Sequence, residues 1–118
     1  MIDPNPATHE AVGSRFVVLC TAPDARTATE LSRSLVQAKV AACVNVVPGV
    51  TSFYHWEGAV CQDQEHLLVA KTDGAHLQEL IDMISRDHPY ECPEAIALKI
   101  VDGARAYLEW IGTALAED

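Results

Sequence analysis

The sequence predicts an α+β fold built around one long β-hairpin. Residues 41–72 form two arms of about 15 residues each, which are rich in strand-forming residues and joined at Glu57–Gly58. Apolar residues recur at helical spacing on either side of this hairpin, and short apolar runs lie outside both helices. The order β-α-β-β-α-β, followed by one more helix, is the ferredoxin-like pattern.

The first strand and helix are predicted from residues 15–39. Arg15–Thr21 is a short apolar run typical of a buried strand. Thr21 or Asp24 can cap the helix that follows, and Pro23 is tolerated in a first turn. This helix is expected to end near Lys39. The residues predicted to form its buried face are Ala28, Leu31, Leu35 and Ala38.

The hairpin is longer than a domain of this size. Gly58 can adopt the positive φ of a tight turn, and Pro48–Gly49 predicts a bulge or an edge position within the first arm. Each arm spans roughly 50 Å, whereas a compact chain of this length is about 35 Å across. The tip carries Phe53, Tyr54 and Trp56, so we expect it to contact a second copy of the chain. The alternative is a hairpin that bends back onto its own core.

The second half of the chain is predicted to contain a helix, a strand and a final helix. Asp73 can cap the first of these helices, and His88–Pro89 ends it because the residue before proline disfavours helix. Residues 95–101 alternate as a strand with one buried face does. The predicted apolar positions are Leu77, Leu80, Ile81 and Ile84 on the first helix, Ile96, Leu98 and Ile100 on the strand, and Leu108, Ile111 and Leu115 on the final helix.

Length and composition exclude several classes of protein. The 118 residues predict a flexible tail over residues 1–14 and one domain over residues 15–118. The net charge of −9 argues against nucleic-acid binding, and the short apolar runs exclude a transmembrane helix. The acidic, proline-containing start lacks the features of a signal peptide, so a cytoplasmic location is expected. The four cysteines form no C-x-x-C pair and are expected to be thiols.

Several motifs resemble those of the CutA family of divalent-cation tolerance proteins. They are AACVNVVPGVTSFYHWEG at residues 41–58, Glu65, residues 68–72, HPYECPE at residues 88–94 and YLEWI at residues 107–111. The segment VLCTAPDARTATEL at residues 18–31 is similar to bacterial members. The resemblance implies a ferredoxin-like homotrimer, similar to PII signalling proteins, that binds copper or another divalent cation such as zinc. It implies no established enzymatic reaction.

The resemblance also implies a set of metal ligands. The family's cysteine at the end of the first strand corresponds to Cys20, and its two adjacent histidines before Pro-Tyr correspond to Asp87 and His88. Asp87 is a departure from the family, and a carboxylate is less suited than imidazole to Cu(I).

Topology independently predicts that five candidate ligands gather at one end of the domain. The first strand and the second helix both end there, and the last strand begins there. The gathered residues are Cys20, Asp87, His88, Cys92 and Glu94, with Cys92 a possible extra ligand. The alternative is a buried structural Cys20 and a loop His88 that never meet.

A second function follows from the likeness to PII proteins. Tyr54, Trp56 and Lys71 are candidates to line a cleft between subunits that binds a small anionic effector. The structural alternatives are interface aromatics and an ion-paired lysine. A scaffold whose assembly is its function is a third possibility. No nucleophile–base pair is visible, since Cys43 and His55 lie about 40 Å apart along one extended arm, so we expect no enzyme activity.

Overall fold

The computed structural model describes residues 13–116 as a four-stranded antiparallel sheet with three helices. The elements follow as β1 (Arg15–Ala22), α1 (Ala25–Gln37), β2 (Cys43–Trp56), β3 (Ala59–Asp73), α2 (Leu77–Asp87), β4 (Ile96–Lys99) and α3 (Arg105–Leu115). The strand order β2-β3-β1-β4 is that of the predicted ferredoxin-like fold. The predicted tail, residues 1–14, lies outside the described residues except for Gly13 and Ser14. No helix in the described range is long and apolar enough to cross a membrane.

The main core lies between one face of the sheet and helices α1 and α2. Even-numbered residues of β1 and of the inner half of β3 point into it, as the two-residue period of a strand requires. The largest fully buried side chains of this core are Leu35, Leu68, Leu80, Ile84, Val18, Val40 and Cys20. Three of the four predicted core positions of α1 are confirmed, whereas Ala38 is exposed because the helix ends at Gln37.

The helix termini follow local hydrogen bonding. Asp24 caps α1 by accepting from the Thr27 backbone N–H at 2.7 Å, so Pro23 precedes the helix and does not lie in its first turn. The prediction that Asp73 caps α2 is wrong. Asp73 is the last residue of β3, and its carboxylate accepts from the His76 N–H at 3.0 Å, one turn before the helix begins. His88 ends α2 as predicted, with an extended ψ of 141°.

The hairpin has the turn and the bulge that its sequence predicts. Glu57 and Gly58 both adopt positive φ, 48° and 79°, as a two-residue hairpin turn requires. The pairing shifts by one residue between Val47 and Val50, where Pro48 and Gly49 bulge out of β2. This shift changes which residues of β2 share a face of the sheet. Odd-numbered residues before the bulge and even-numbered residues after it lie on the same face.

The outer half of the hairpin projects beyond the rest of the fold. The described residues extend 49 × 37 × 22 Å with a radius of gyration of 15.8 Å, compared with about 13.5 Å for a compact chain of this length. Phe53 and Val60 near the tip are 67% and 70% exposed. The prediction of an overhanging hairpin is therefore confirmed, and the alternative of a hairpin folded back on its core is wrong.

The other face of the sheet is only partly covered. Helix α3 packs across one end of it, forming a small second core from Leu108, Ile111 and Leu115 with Ala42 and Ile100. Arg15 lies on this face and donates from Nε to the Leu108 carbonyl at 2.8 Å. Beyond α3 an apolar surface remains uncovered, and we call it the open face. It comprises Val17, Leu19, Val47, Leu67, Val69, Ile96 and Leu98.

Strand β4 differs from its prediction. It covers Ile96–Lys99, which is shorter than the expected residues 95–101, and all four of its residues are exposed. Ile96 and Leu98 alternate as expected, but they belong to the open face and are 53% and 52% exposed. The predicted burial of this strand is therefore wrong for the described part of a single chain, because nothing among residues 13–116 covers that side.

Candidate functional site

The thiol of Cys20 lies inside the fold at the end of β1. It is 1% exposed and pairs across the sheet with Leu68. Burial raises the pKa of the Cys20 thiol to about 12, and the nearby carboxylates of Glu94 and Glu65 add to the rise. The neutral thiol is therefore the form that this environment favours at neutral pH, and a bound cation would have to displace its proton.

The imidazole of His88 joins the end of α2 to the end of β1. Its Nδ1 accepts a hydrogen bond from the Tyr90 backbone N–H at 3.0 Å, which places the ring proton on Nε2. Nε2 in turn donates to the Thr21 carbonyl oxygen at 2.7 Å. Both ring nitrogens are thus engaged in the neutral ring. A metal ion could reach His88 only if one of these bonds were broken.

Asp87 lies on the surface next to its neighbour Arg86. The guanidinium donates to both carboxylate oxygens, from Nε at 2.7 Å and from Nη2 at 2.9 Å. These hydrogen bonds lower the pKa of Asp87. The predicted ligands Cys20 and His88 are therefore both placed near Thr21, whereas Asp87 is held in an exposed ion pair.

A cavity of about 550 Å³ lies between the outer half of the hairpin and the loop that precedes β4. Its lining is aromatic and acidic, and none of the described residues that form it is Lys, Arg or His. The lining residues are Thr21, Ser52, Phe53, Tyr54, Trp56, Glu65, Tyr90, Glu91, Cys92 and Glu94. The bulge in β2 places Ser52, Tyr54 and Trp56 on this side of the hairpin.

Burial and the charge of Glu65 together raise the pKa of two of its neighbours in the cavity. Glu65 is only 6% exposed and accepts a hydrogen bond from the Tyr90 hydroxyl at 2.7 Å. The pKa of Glu94 is raised by partial desolvation and then by the charge of Glu65. The pKa of Tyr90 is raised by burial and by the hydrogen bond to Glu65. The cavity is therefore a region of negative potential, which favours cations over anions.

The candidate ligands do not form a complete metal site within one chain. No group of three or more His, Cys, Asp or Glu side chains among residues 13–116 is arranged to hold a metal ion. The four cysteines are free, with Cys20 buried and Cys92 exposed at the cavity. The cavity brings Glu94 and Cys92 together with Glu65, next to Thr21 at the end of β1, whereas Cys20 lies in the main core and Asp87 lies outside.

The residues predicted to bind an effector are divided between two ends of the hairpin. Tyr54 and Trp56 line the cavity, and the Tyr54 hydroxyl donates to Asp63. Lys71 pairs in register with Cys43 at the opposite end and hydrogen-bonds to Asn45. Twelve residues of strand separate the two ends, roughly 40 Å. These three side chains can therefore meet only across subunits.

Sequence reasoning did not place Glu65, Tyr90, Ser52 or Phe53 at a site. The signal for Glu65 is its position directly before the buried run of β3, where a carboxylate needs a partner. Tyr90 supplies that partner from a loop 25 residues away in sequence, which no local pattern indicates.

Comparisons with known proteins give the family. The family model described as "CutA1 divalent ion tolerance protein" matches residues 16–114. The chain belongs to the CutA1 family. Among curated relatives, the divalent-cation tolerance protein CutA of Yersinia pestis is 41% identical over 115 residues, covering 98% of this chain and 94% of the relative.

Solved CutA structures share the fold. The crystal structure of CutA1 from Oryza sativa superposes with a TM-score of 0.86 at 40% identity, covering 90% of this chain and 97% of that one. CutA from Xylella fastidiosa superposes with a TM-score of 0.85 at 39% identity, covering 86% and 98%. The ferredoxin-like α+β fold and the CutA resemblance predicted from the sequence are both confirmed.

Proposed function

We propose that this CutA1 protein binds copper or another divalent cation such as zinc at the acidic cavity beside Cys20. The observation that carries the proposal is a cavity lined by Glu65, Glu94 and Cys92, with no basic side chain among its described lining residues, next to the end of β1 where Cys20 is buried. We further propose that it acts as a cytoplasmic homotrimer and as a binding protein without catalytic activity.

The ligand atoms at the cavity suit a metal ion that is intermediate between hard and soft in its ligand preference. A thiolate from Cys20, with Glu94 and the exposed Cys92, would combine sulfur and oxygen ligands of the kind that bind Zn²⁺. A cation there would also offset the charge of Glu65, which adds to the effect of burial in raising the pKa values of Cys20 and Glu94. Because the groups are not already arranged as a three-ligand site, binding requires side-chain movement or a ligand from a neighbouring subunit.

Two ligand sets can be told apart by mutation. The set implied by the family resemblance contains Cys20, Asp87 and His88, whereas the cavity favours Cys20 with Glu94 and Cys92. Purified protein is titrated with Zn²⁺ and Cu²⁺ in competition with a chromophoric chelator, without oxygen. We expect Cys20→Ser and Glu94→Gln each to weaken binding at least about tenfold, in the range seen when metal affinity loses a supporting group.

The matched controls are Asp87→Asn and Cys43→Ser. Asp87→Asn leaves the cavity intact, and Cys43→Ser removes a thiol at the far end of the hairpin. Both are expected to bind as the wild type does. Loss of binding in Asp87→Asn would instead support the family's ligand set. Unchanged binding in Cys20→Ser and Glu94→Gln would overturn the cavity site.

Metal affinity is expected to depend steeply on pH through Cys20. The thiol has a pKa of about 12, so it is protonated across the neutral range and must release its proton on binding. Release of this one proton should therefore contribute a roughly tenfold rise in apparent affinity for each pH unit between pH 6 and 8. Titrations at three pH values measure the slope of log affinity against pH, which equals the number of protons released on binding. Cys20→Ser should lower this number by one. A slope unchanged in Cys20→Ser would show that Cys20 is not a ligand.

A second candidate function is PII-like binding of a small effector between subunits. It is favoured by the exposed aromatic side chains of Tyr54 and Trp56 at the cavity, with Lys71 supplied by a neighbouring chain. A thermal-shift screen of nucleotides and small carboxylates tests it. Stabilisation by such an anion, lost in Lys71→Ala, would support this function. Stabilisation by metal ions alone would exclude it.

A further inference from the structure

The loop that precedes β4 carries cavity side chains on a backbone without regular pairing. Residues 89–95, which we call the cavity loop, form neither helix nor strand. Within residues 13–116, no residue of this loop makes a backbone-to-backbone hydrogen bond. Ala95 packs against the main core at the far end of the loop, whereas Cys92 and Glu94 line the cavity. The position of these two side chains must therefore be fixed by other contacts.

Tyr90 and His88 supply the hydrogen bonds that hold the cavity loop. The Tyr90 hydroxyl donates to Glu65 of β3 at 2.7 Å, and the Tyr90 backbone N–H donates to Nδ1 of His88 at 3.0 Å. In the described part of the chain, these two bonds are the only hydrogen bonds that the cavity loop makes. His88 in turn donates from Nε2 to the Thr21 carbonyl oxygen at 2.7 Å. The loop is thus tied to β3 on one side and, through His88, to β1 on the other.

Burial makes these bonds effective anchors. Glu65 and His88 are only 6% and 7% exposed, so water competes little for either bond. The rings of His88 and Tyr90 also pack together, with centroids 4.6 Å apart. A hydrogen bond to a carboxylate is roughly twice as strong as one between neutral groups, which favours the bond from Tyr90 to Glu65.

We propose that His88 and Tyr90 are positioning residues that hold Cys92 and Glu94 at the cavity, and that His88 is not itself a metal ligand. This inference rests on the proposed cation site. Both ring nitrogens of His88 serve the anchoring, so coordination of a cation by this ring would break a bond that holds the loop. Supporting groups that do not touch the ion commonly change metal affinity by roughly 10- to 100-fold.

The anchoring is tested first without metal, by hydrogen exchange of residues 89–95 measured with mass spectrometry. Tyr90→Phe keeps the ring and removes the hydroxyl, so the loop amides should exchange about three- to tenfold faster, the equivalent of one hydrogen bond. Tyr107→Phe is the matched control, because it removes a hydroxyl from α3, outside the loop. Exchange in Tyr90→Phe as slow as in this control would overturn the proposal.

Three replacements of His88 separate a positioning role from a ligand role. His88→Asn places an amide oxygen near the position of Nδ1, and His88→Gln places an amide N–H near that of Nε2, so each keeps one bond. His88→Ala keeps neither. We expect Zn²⁺ affinity to be highest in the wild type, lower in the two amide variants and at least about tenfold below wild type in His88→Ala. Equal loss in all three would identify a lost imidazole ligand and overturn the proposal.

The ligand set is read from the visible absorption spectrum of the protein loaded with Co²⁺, which depends on ligand type and geometry. Tyr90→Phe should weaken binding of Co²⁺ and Zn²⁺ about tenfold and leave the spectrum at saturation unchanged. His88→Gln should also keep the wild-type spectrum, and a changed spectrum there would overturn the proposal. Each variant is first checked for wild-type circular dichroism and assembly. If His88→Ala does not fold, the amide variants and Tyr90→Phe decide the matter.

Failure of this inference is distinguishable from failure of the proposed function. Cation binding that depends on Cys20 and Glu94 but is unaffected by Tyr90→Phe would overturn the positioning role alone. Wild-type protein that binds neither Zn²⁺ nor Co²⁺ would overturn both.

Discussion

Thr72 is a single polar side chain that fixes the connection between α1 and β2. It is fully buried, and its hydroxyl donates to the Val40 carbonyl oxygen at 2.7 Å. Val40 lies in the main core after the left-handed turn at Lys39, where φ is 57°. Without this hydroxyl the Val40 carbonyl would lose its partner in a region that water cannot reach, and an unsatisfied buried group is costly.

Replacing Thr72 by Val keeps the shape of the side chain and removes the hydrogen bond. We expect Thr72→Val to lower the free energy of unfolding by about 1–3 kcal/mol. Thr113→Val is the matched control, because that hydroxyl donates to the Glu109 carbonyl on the exposed side of α3. Its effect should be within about 0.5 kcal/mol. Urea unfolding at one protomer concentration measures both, and equal values for the two variants would contradict the argument.

At the scale of single elements, the bulge at Pro48–Gly49 decides which side chains face the cavity. It adds one residue to β2 opposite His66, so Tyr54 and Trp56 share a face of the sheet with Val47. Gly49 makes this possible with a φ of +74°, a conformation that side-chain-bearing residues seldom adopt. The space around its absent Cβ is empty, so any penalty for a larger residue comes from the backbone alone.

We therefore expect Gly49→Ala to destabilise the protein by about 1–2 kcal/mol, the cost of a left-handed backbone for an L-residue. Gly74→Ala is the control, since Gly74 has no positive φ and a Cβ added there would make only ordinary contacts, 3.7 Å or more, with Phe16 and Ser14. That substitution should be neutral or slightly stabilising. Thermal unfolding of both variants distinguishes them, and a Gly49→Ala variant as stable as Gly74→Ala would show that the bulge is not strained.

The elements show why some features could be predicted and others could not. The turn at Glu57–Gly58, the bulge at Pro48–Gly49 and the end of α2 at His88 follow from local backbone preferences, and all three are confirmed. The role of Asp73 could not be predicted in the same way, because a capping residue and the last residue of a strand look alike in sequence. After the bulge, even-numbered residues of β2 take the face that odd-numbered residues hold before it, and the loop before β4 closes the cavity from a distant part of the sequence. Only part of the cavity lining could therefore be predicted.

The burial of β4 marks the limit of prediction from one chain. Alternation in Ile96 and Leu98 correctly indicates that one side of the strand is apolar, but it does not reveal what covers that side. The same holds for Tyr54 and Trp56, whose exposure of 40% and 49% is a property of the isolated chain. In both cases, what covers the exposed side chains depends on the assembly of the whole molecule.

At the scale of the whole molecule, the open face and the projecting hairpin favour the proposed trimer. An apolar surface formed from all four strands lies uncovered on one side of the sheet, and the 49 Å extent shows how far the hairpin projects. Monomeric proteins rarely leave large contiguous apolar patches exposed. A second and third copy of the chain would cover this face in the proposed trimer, and the hairpin tip of one copy would find apolar surface on the next.

The assembly can be tested by charging the open face. Ile96→Lys combined with Leu98→Lys places two cations at positions that are 53% and 52% exposed in the single chain, so the fold itself should tolerate them. If these residues are buried between subunits, their charges would lie unpaired in an apolar interface, which is strongly unfavourable. Light scattering should then change from about three times the 12.8 kDa of one chain to the mass of the monomer.

Val36→Lys supplies the control for this experiment. Val36 is 41% exposed on α1, on the opposite side of the molecule from the open face, and its replacement should leave the assembly intact. Wild-type protein that scatters as a monomer at micromolar concentration would refute the trimer outright. A trimer that survives both open-face substitutions would show that a different surface joins the subunits, and the uncovered strand β4 would then remain available to another partner.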